Sequence, residues 1–280
     1  METPSGHPDD LSLNVQIVRN ILVNFIRDGI QRAGFRSGIL GLSGGVDSAL
    51  TAYLAAEALG TENLLCVLMP YKTSNPQSGT DAAQVAEALG IRTELIDVSP
   101  MVDAHLERVG AGMRVRGGNI MARERMIVLY DLSSRENGLV IGTGNKTETL
   151  LGYGTLFGDM ACALNPLGDL YKTQVWQLAG AVGVPRRIIE KQPSADLWEG
   201  QSDEEELGFS YAEVDRLLFC MVDERRSSEE LAAMGFDQGF VVKVQEIVRK
   251  NQFKRRLPLV AKISNRTTNV DFRYPRDWGV

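Results

Sequence analysis

Short apolar runs ending in glycine or proline alternate with helix-period stretches along residues 38–144. This alternation predicts an α/β fold, a parallel sheet with helices on both faces. Two glycine turns, at 44–45 and 142–144, follow such runs, at the strand ends where open α/β sheets bind ligands. A chain of 280 residues that is 44% hydrophobic and 24% charged can bury a core of this kind without staples.

Each element has its own signal. Residues 11–33 place Leu13, Ile17, Val18, Ile21, Leu22, Phe25 and Ile26 at helical period, closed by Gly34. GILGLSGG (38–45) is a buried strand feeding a turn, and a helix from Asp47 to Leu59 ends at Gly60. A strand over 64–70 stops at Pro70, residues 72–79 are a polar, turn-rich loop, and a helix from Asp81 to Leu89 ends at Gly90. Residues 92–98 alternate as a strand, 99–110 and 119–136 are helical, and GLVIGTG (138–144) is a strand into a glycine turn.

The pattern changes after residue 145. The glycine-rich stretch that follows is too long for a connector and is expected to be functional. PSADLWEGQSDEEELG (193–208) is polar and acidic, two helices cover about 211–233 and 238–252, and the remaining residues lack periodicity. With no repeat and no linker, a single domain over 1–280 is expected.

Charge and cysteine content exclude several classes. Thirty Lys+Arg against 36 Asp+Glu give a net charge of −6, whereas proteins that track nucleic acid are usually basic. Cys66, Cys162 and Cys220 have no CxxC spacing and read as free thiols in a reducing compartment. Residues 1–14 contain no apolar signal region, and no apolar run approaches the ~20 residues of a membrane span. The expected location is therefore the cytoplasm, with no nucleic-acid or membrane partner. With only His7 and His105 available, chemistry that needs a histidine base or a histidine-rich metal site lacks its parts.

The sharpest motif is Ser43-Gly44-Gly45-Val46-Asp47-Ser48, set between an apolar strand and a helix. Matching its five fixed letters by chance happens in roughly one chain of this length in three thousand. The glycines let the backbone turn and approach a ligand, and the helix start offers N–H groups to an anion. No GxxxxGK[ST] sequence occurs, so this is not a Walker A loop. A carboxylate beside phosphate repels it unless a cation lies between, which makes Asp47 a magnesium-ligand candidate. The competing interpretation is a tight turn with Asp47 and Ser48 as helix caps; the whole hexapeptide in this context favours a pyrophosphate loop.

The hexapeptide is similar to the signature of the N-type ATP pyrophosphatases, which split ATP into AMP and pyrophosphate while adenylating a substrate. Within that superfamily, three blocks resemble the NAD synthetases: ARERM (122–126), GTGNKTETLLGYGTLFGDMACALNPLGDLYKTQVWQLA (142–179) and KQPSADLWEGQSDEEELGFSY (191–211). The resemblance runs in order over about residues 11–258. It implies a Rossmann-like sheet of the adenine nucleotide alpha hydrolase type. It also implies a C–N bond-forming ligase in which ATP, nicotinic acid adenine dinucleotide (deamido-NAD) and ammonia give NAD⁺, AMP and pyrophosphate through an acyl-adenylate.

The resemblance also assigns roles. Gly41, Leu42, Ser43, Gly44, Gly45, Val46, Asp47 and Ser48 match the phosphate loop, with Thr143 and Ser194 at positions touching ATP. Asp47 and Glu148 match ligands of Mg²⁺, and Lys172 matches a lysine on the triphosphate. Arg123, Asp159, Glu206 and Lys254 match residues of the dinucleotide site, and Asp47, Lys172 and Asp159 are the expected catalytic group. Taken alone, Glu148 and Lys172 fit exposed helix residues, and Asp159 and Glu206 fit loop carboxylates. The family is a homodimer, and the helices at 11–33 and 211–233 are candidate interfaces, the first preferred.

Three positions depart from the pattern. Phe253 replaces a histidine, Leu156 a lysine and Ala163 an aspartate found in many ammonia-using members. Rival readings are another N-type ATP pyrophosphatase adenylating a different carboxylate and a non-catalytic adenine-nucleotide-binding module. A tRNA thiolase or lysidine synthetase would carry a basic surface, and a GMP synthetase a dimerisation module. No segment is left for a glutaminase domain, so free ammonia is the expected nitrogen source unless a separate glutaminase subunit delivers it.

Overall fold

The computed structural model describes residues 11–109, 114–198, 200–256 and 258–267. Its sheet has four strands, β1 (Ser37–Gly41), β2 (Leu64–Leu68), β3 (Arg92–Leu95) and β4 (Gly138–Ile141), in the order β3-β2-β1-β4. Every pairing is parallel, with Leu40 of central β1 opposite Cys66 on one side and Ile141 on the other. All ligand-edge loops therefore emerge on one side.

Alternation along β1 divides the core. Leu40 faces a cluster with α1 (Val15–Gln31), α2 (Val46–Leu59), α3 (Pro76–Leu89), α7 (Lys172–Val182) and α8 (Arg186–Ile189), including Ile26, Leu50, Val85 and Leu178. Ile39 faces the opposite cluster, with Val102 of α4 (Ser99–Val109) and Met121, Leu129 and Leu132 of α5 (Arg114–Arg135). Burying both faces is what an all-parallel sheet requires. A third cluster joins α6 (Lys146–Leu151) to α10 (Tyr211–Leu218), α11 (Ser228–Ala233) and α12 (Gln238–Lys250) through Leu151, Val214, Leu217, Leu231 and Val244. A short helix, α9 (Asp203–Leu207), lies just before α10.

Several boundaries differ from expectation. α3 begins at Pro76 rather than Asp81, because the Asn75 side chain caps Gln77 N and Pro76 suits the first turn. α5 begins at Arg114 and runs through Gly117 and Gly118; a Cβ on Gly118 would lie 2.8 Å from Leu197 Cδ1, so the small residue makes room for that leucine. The expected helix over 211–233 breaks into α10, a π-helical turn at Phe219–Asp223, and α11, with Arg225 at φ +58° in the break. Val214, Leu217, Leu218 and Leu231 of this region are fully buried within the chain, whereas Val222 is exposed. On α1, by contrast, Ile17 and Ile21 are exposed.

The three cysteines are free thiols, and burial pushes that of Cys66 up to about 12. Among the described residues, no helix is long and apolar enough to cross a membrane. His7 and residues 268–280 lie outside the described residues.

Candidate active site

The backbone leaves β1 at Gly41, and the Leu42 N–H still bonds Val67 O on β2 at 2.9 Å. The chain then reverses into α2. Gly44 adopts φ +78°, where a Cβ would run into the Ser78 carbonyl oxygen, so this position requires glycine twice over. Ser48 Oγ accepts from Ser43 N at 3.2 Å, donates to Gly45 O at 3.0 Å and lies 3.0 Å from Ser43 Oγ. The serines thus brace the loop from within while α2 presents its N-terminus at the strand end.

Asp47, in the first turn of α2, meets residues from far along the chain. Its Oδ2 accepts from Lys172 Nζ at 2.5 Å and its Oδ1 from Asn145 Nδ2 at 2.9 Å. Lys172 Nζ also reaches Glu148 Oε1 at 3.2 Å. Lys172 opens α7, and its side chain is only 4% exposed, against 16% for Asp47 and 20% for Glu148. The alternative of an ordinary exposed helix lysine does not hold, because Tyr211 stacks beneath the ammonium at 5.2 Å and the two carboxylates enclose it.

Local chemistry sets Glu148. Asn145 caps α6 by accepting from Glu148 N at 2.9 Å, and Glu148 Oε2 reaches back to Asn145 N, completing a capping box. Burial raises the Glu148 carboxyl to about 7; the Lys172 ammonium pulls it down and the Asp47 carboxylate pushes it further up. For Lys172, burial disfavours the charge, but Asp47 and Glu148 together outweigh it and hold the ammonium above the usual lysine value.

This donor set fits magnesium. Among the described residues no cluster of three or more His, Cys, Asp or Glu side chains is arranged to hold an ion by itself. Magnesium bound with a nucleotide takes one or two carboxylates and completes its shell with phosphate and water oxygens. Asp47 and Glu148 are two such carboxylates, and both already converge on one cation, the Lys172 ammonium.

The other ATP candidates line the same edge. Thr143 lies in the turn after β4, where Gly142 N bonds Leu164 O at 2.8 Å. Ser194 is exposed, and its Oγ accepts from Asp196 N at 3.1 Å. Asp196 in turn takes Asn75 N at 3.0 Å, tying the 193–198 segment to the start of α3. Lys191, which the sequence did not single out, bonds Ser78 Oγ and Asp81 Oδ2, both at 3.1 Å, and reaches Gly44 O at 3.4 Å. Arg125 was also missed: it donates to Met69 O at 3.0 Å at the end of β2.

The four dinucleotide candidates converge on one loop, residues 152–159. Lys254 Nζ donates to Gly152 O at 2.7 Å and Gly154 O at 2.9 Å. Arg123 donates to Leu156 O at 3.2 Å, and Asp159 Oδ1 accepts from Thr155 N at 2.9 Å. Glu206 Oε2 accepts from Tyr153 OH at 2.5 Å, and that hydroxyl also meets Asp203 at 2.9 Å. Arg123 and Arg116 further line a groove of about 430 Å³ between α4 and α5. The phosphate-side and dinucleotide-side candidates are thus separate groups joined by α6. Of the departing positions, Leu156 lends only its carbonyl, while Ala163 and Phe253 are exposed.

Comparison with known proteins adds independent observations. A model of the NAD synthase family matches residues 18–258. An NH(3)-dependent NAD(+) synthetase of Trichlorobacter lovleyi is 58% identical over 269 residues, covering 96% of this chain and 98% of that protein. Among solved structures, an NH3-dependent NAD synthetase from Campylobacter jejuni aligns with a TM-score of 0.78 at 33% identity, over 90% of this chain and 100% of that one. An NMN synthetase from Francisella tularensis aligns at 0.79 and 31%, over 89% of this chain and 99% of that one.

Proposed function

The chain belongs to the NAD synthase family, and from that premise we propose that it is a C–N bond-forming ligase that amidates deamido-NAD with ammonia at the expense of ATP. The observation that carries this reading is the meeting of Asp47, Glu148 and Lys172 beside the phosphate loop. Two carboxylates around a buried lysine, at a helix start, are the parts needed to hold a nucleotide's phosphates with a divalent ion.

The substrate carboxylate attacks the α-phosphorus of ATP and pyrophosphate leaves, giving an acyl-adenylate. Ammonia then attacks the acyl carbon, AMP departs with the C–O electrons, and the nitrogen loses a proton to water. No covalent nucleophile from the protein is required. The chain contributes alignment and charge compensation. The 43–48 loop cradles the pyrophosphate, Lys172 sits where negative charge builds on it, and Thr143 and Ser194 flank the nucleotide. Arg123, Asp159, Glu206 and Lys254 set the 152–159 loop against the dinucleotide. Magnesium, held by Asp47 and Glu148, would neutralise phosphate charge.

Free ammonia is the proposed nitrogen source, in keeping with full-length relatives named NH(3)-dependent. We further propose one domain, a cytoplasmic location in which the free thiols stay reduced, and a homodimer that covers Ile17 and Ile21 of α1. Sizing that finds only monomer at micromolar concentration would refute the dimer.

The test is a coupled assay with ATP·Mg²⁺, deamido-NAD and either ammonium or glutamine. AMP and NAD⁺ should form with ammonium and not with glutamine alone. AMP formation with deamido-NAD inactive would leave adenylation standing and overturn the substrate. A parallel arm with nicotinic acid mononucleotide addresses the likeness to the Francisella enzyme. No AMP with any carboxylate would favour a nucleotide-binding module.

A further inference from the structure

Asp215 on α10 is fully buried and has no part in the site as drawn above. Its Oδ1 accepts from Thr147 Oγ1 at 2.5 Å and its Oδ2 from Thr173 N at 2.8 Å. The Thr147 hydroxyl also accepts from Lys172 N at 3.0 Å, so its own proton must point to Asp215. Thr147 precedes Glu148 at the start of α6, and Thr173 follows Lys172 at the start of α7. A carboxylate from a third helix thus bonds the backbone neighbours of both site residues, and one hydroxyl closes the link between them.

We infer that Asp215 is a positioning residue: through Thr147 and Thr173 it fixes the starts of α6 and α7 relative to each other, and so the separation of Glu148 from Lys172. The inference rests on the adenylation reading of those two residues. Both Asp215 oxygens are engaged, one by the Thr147 hydroxyl and the other by the Thr173 N–H. A carboxylate can accept from both Thr147 and Thr173, whereas an amide has one acceptor oxygen and must present N–H₂ to one of those donors. Thr147 and Asp215 are both wholly buried and Lys172 is 3% exposed, so water cannot replace a lost link without opening the core. Packing alone would not need this chemistry, since the surrounding cluster of Leu151, Val214, Leu217 and Leu218 is apolar.

The experiment measures AMP release with saturating ATP·Mg²⁺, deamido-NAD and ammonium for wild type, Asp215→Asn, Thr147→Val and Thr147→Ser, with a melting curve for each. Orienting partners one layer behind a site typically contribute about 10- to 100-fold. The expected result is a fall of that size in kcat for Asp215→Asn and Thr147→Val, with KM for the dinucleotide within about twofold. Thr147→Ser, which keeps the hydroxyl, should stay within about threefold of wild type. If Asp215→Asn does not fold, the Thr147 pair carries the test alone. The inference is overturned if both Asp215→Asn and Thr147→Val keep more than half of kcat. It is equally overturned if Thr147→Ser loses as much as Thr147→Val, which would assign the effect to methyl packing. A wild type that releases no AMP would instead refute the adenylation reading, and this inference with it.

Discussion

Replacing Glu148 by glutamine should separate stability from catalysis. In nucleotide-free, chelator-treated protein, burial raises this carboxyl from its ordinary 4.5 to about 7. Between those values the native state binds more protons here than the unfolded chain does. The residue's contribution to stability is therefore complete below pH 4.5 and lost as pH rises through 7. At about 1.4 kcal/mol per pKa unit, the gap is worth about 3 kcal/mol. Glutamine has the shape of the protonated acid and stays neutral, at the cost of the 3.2 Å ion pair with Lys172. Urea unfolding at pH 5 should find the variant and wild type nearly equal. At pH 8 the variant should be more stable, by up to about 3 kcal/mol, while AMP formation falls about a hundredfold or more. A variant less stable than wild type at pH 8 would show instead that pairing with Lys172 outweighs burial.

Other substitutions probe neighbouring parts. Asp47→Ala removes the 2.5 Å partner of a buried lysine and the acceptor for Asn145. AMP release should vanish and unfolding should cost about 3 kcal/mol less, since Lys172 keeps only Glu148; retained turnover would remove Asp47 from the phosphate site. Gly44→Ala adds about 1–2 kcal/mol for the left-handed backbone, plus the clash with Ser78 O, so the melting temperature should drop by several degrees and calorimetry should find ATP binding weakened. Lys254→Met removes both donors from the Gly152 and Gly154 carbonyls. KM for deamido-NAD should then rise about tenfold with ATP binding unchanged, and equal weakening of both would argue against a loop-specific role.

What was legible in the sequence was local. SGGVDS announced a turn between strand and helix because its glycines and serines act on adjacent backbone. Three of the four strands stand out as apolar runs and the fourth, β3, as an alternating one, whereas the Asn145–Glu148 capping box, though local, went unread. Contacts across the fold were not legible. Lys172 meets Asp47 from 125 positions away and Lys191 meets Gly44 from 147, and neither spacing leaves a periodic trace. The resemblance named Lys172 but not its burial, and it passed over Lys191 and Arg125. The Asn75-Pro76 start of α3 carried a readable signal that the polar look of the loop obscured. The break between α10 and α11 has no proline or glycine, and its left-handed residue is an arginine, so propensity gave no warning.

Topology also sets an order of assembly while the chain is being made. β1, β2 and β3 emerge first and can pair among themselves, but the other edge of β1 stays open until β4 arrives about a hundred residues later. Asp47 waits longer still, since the ammonium that neutralises it lies on α7. A ribosome-held chain ending near residue 160 should accordingly fail to retain ATP, whereas one extending past residue 258 should hold it. The 43–48 loop is thus translated early, while the lysine that pairs with its Asp47 follows 125 residues later.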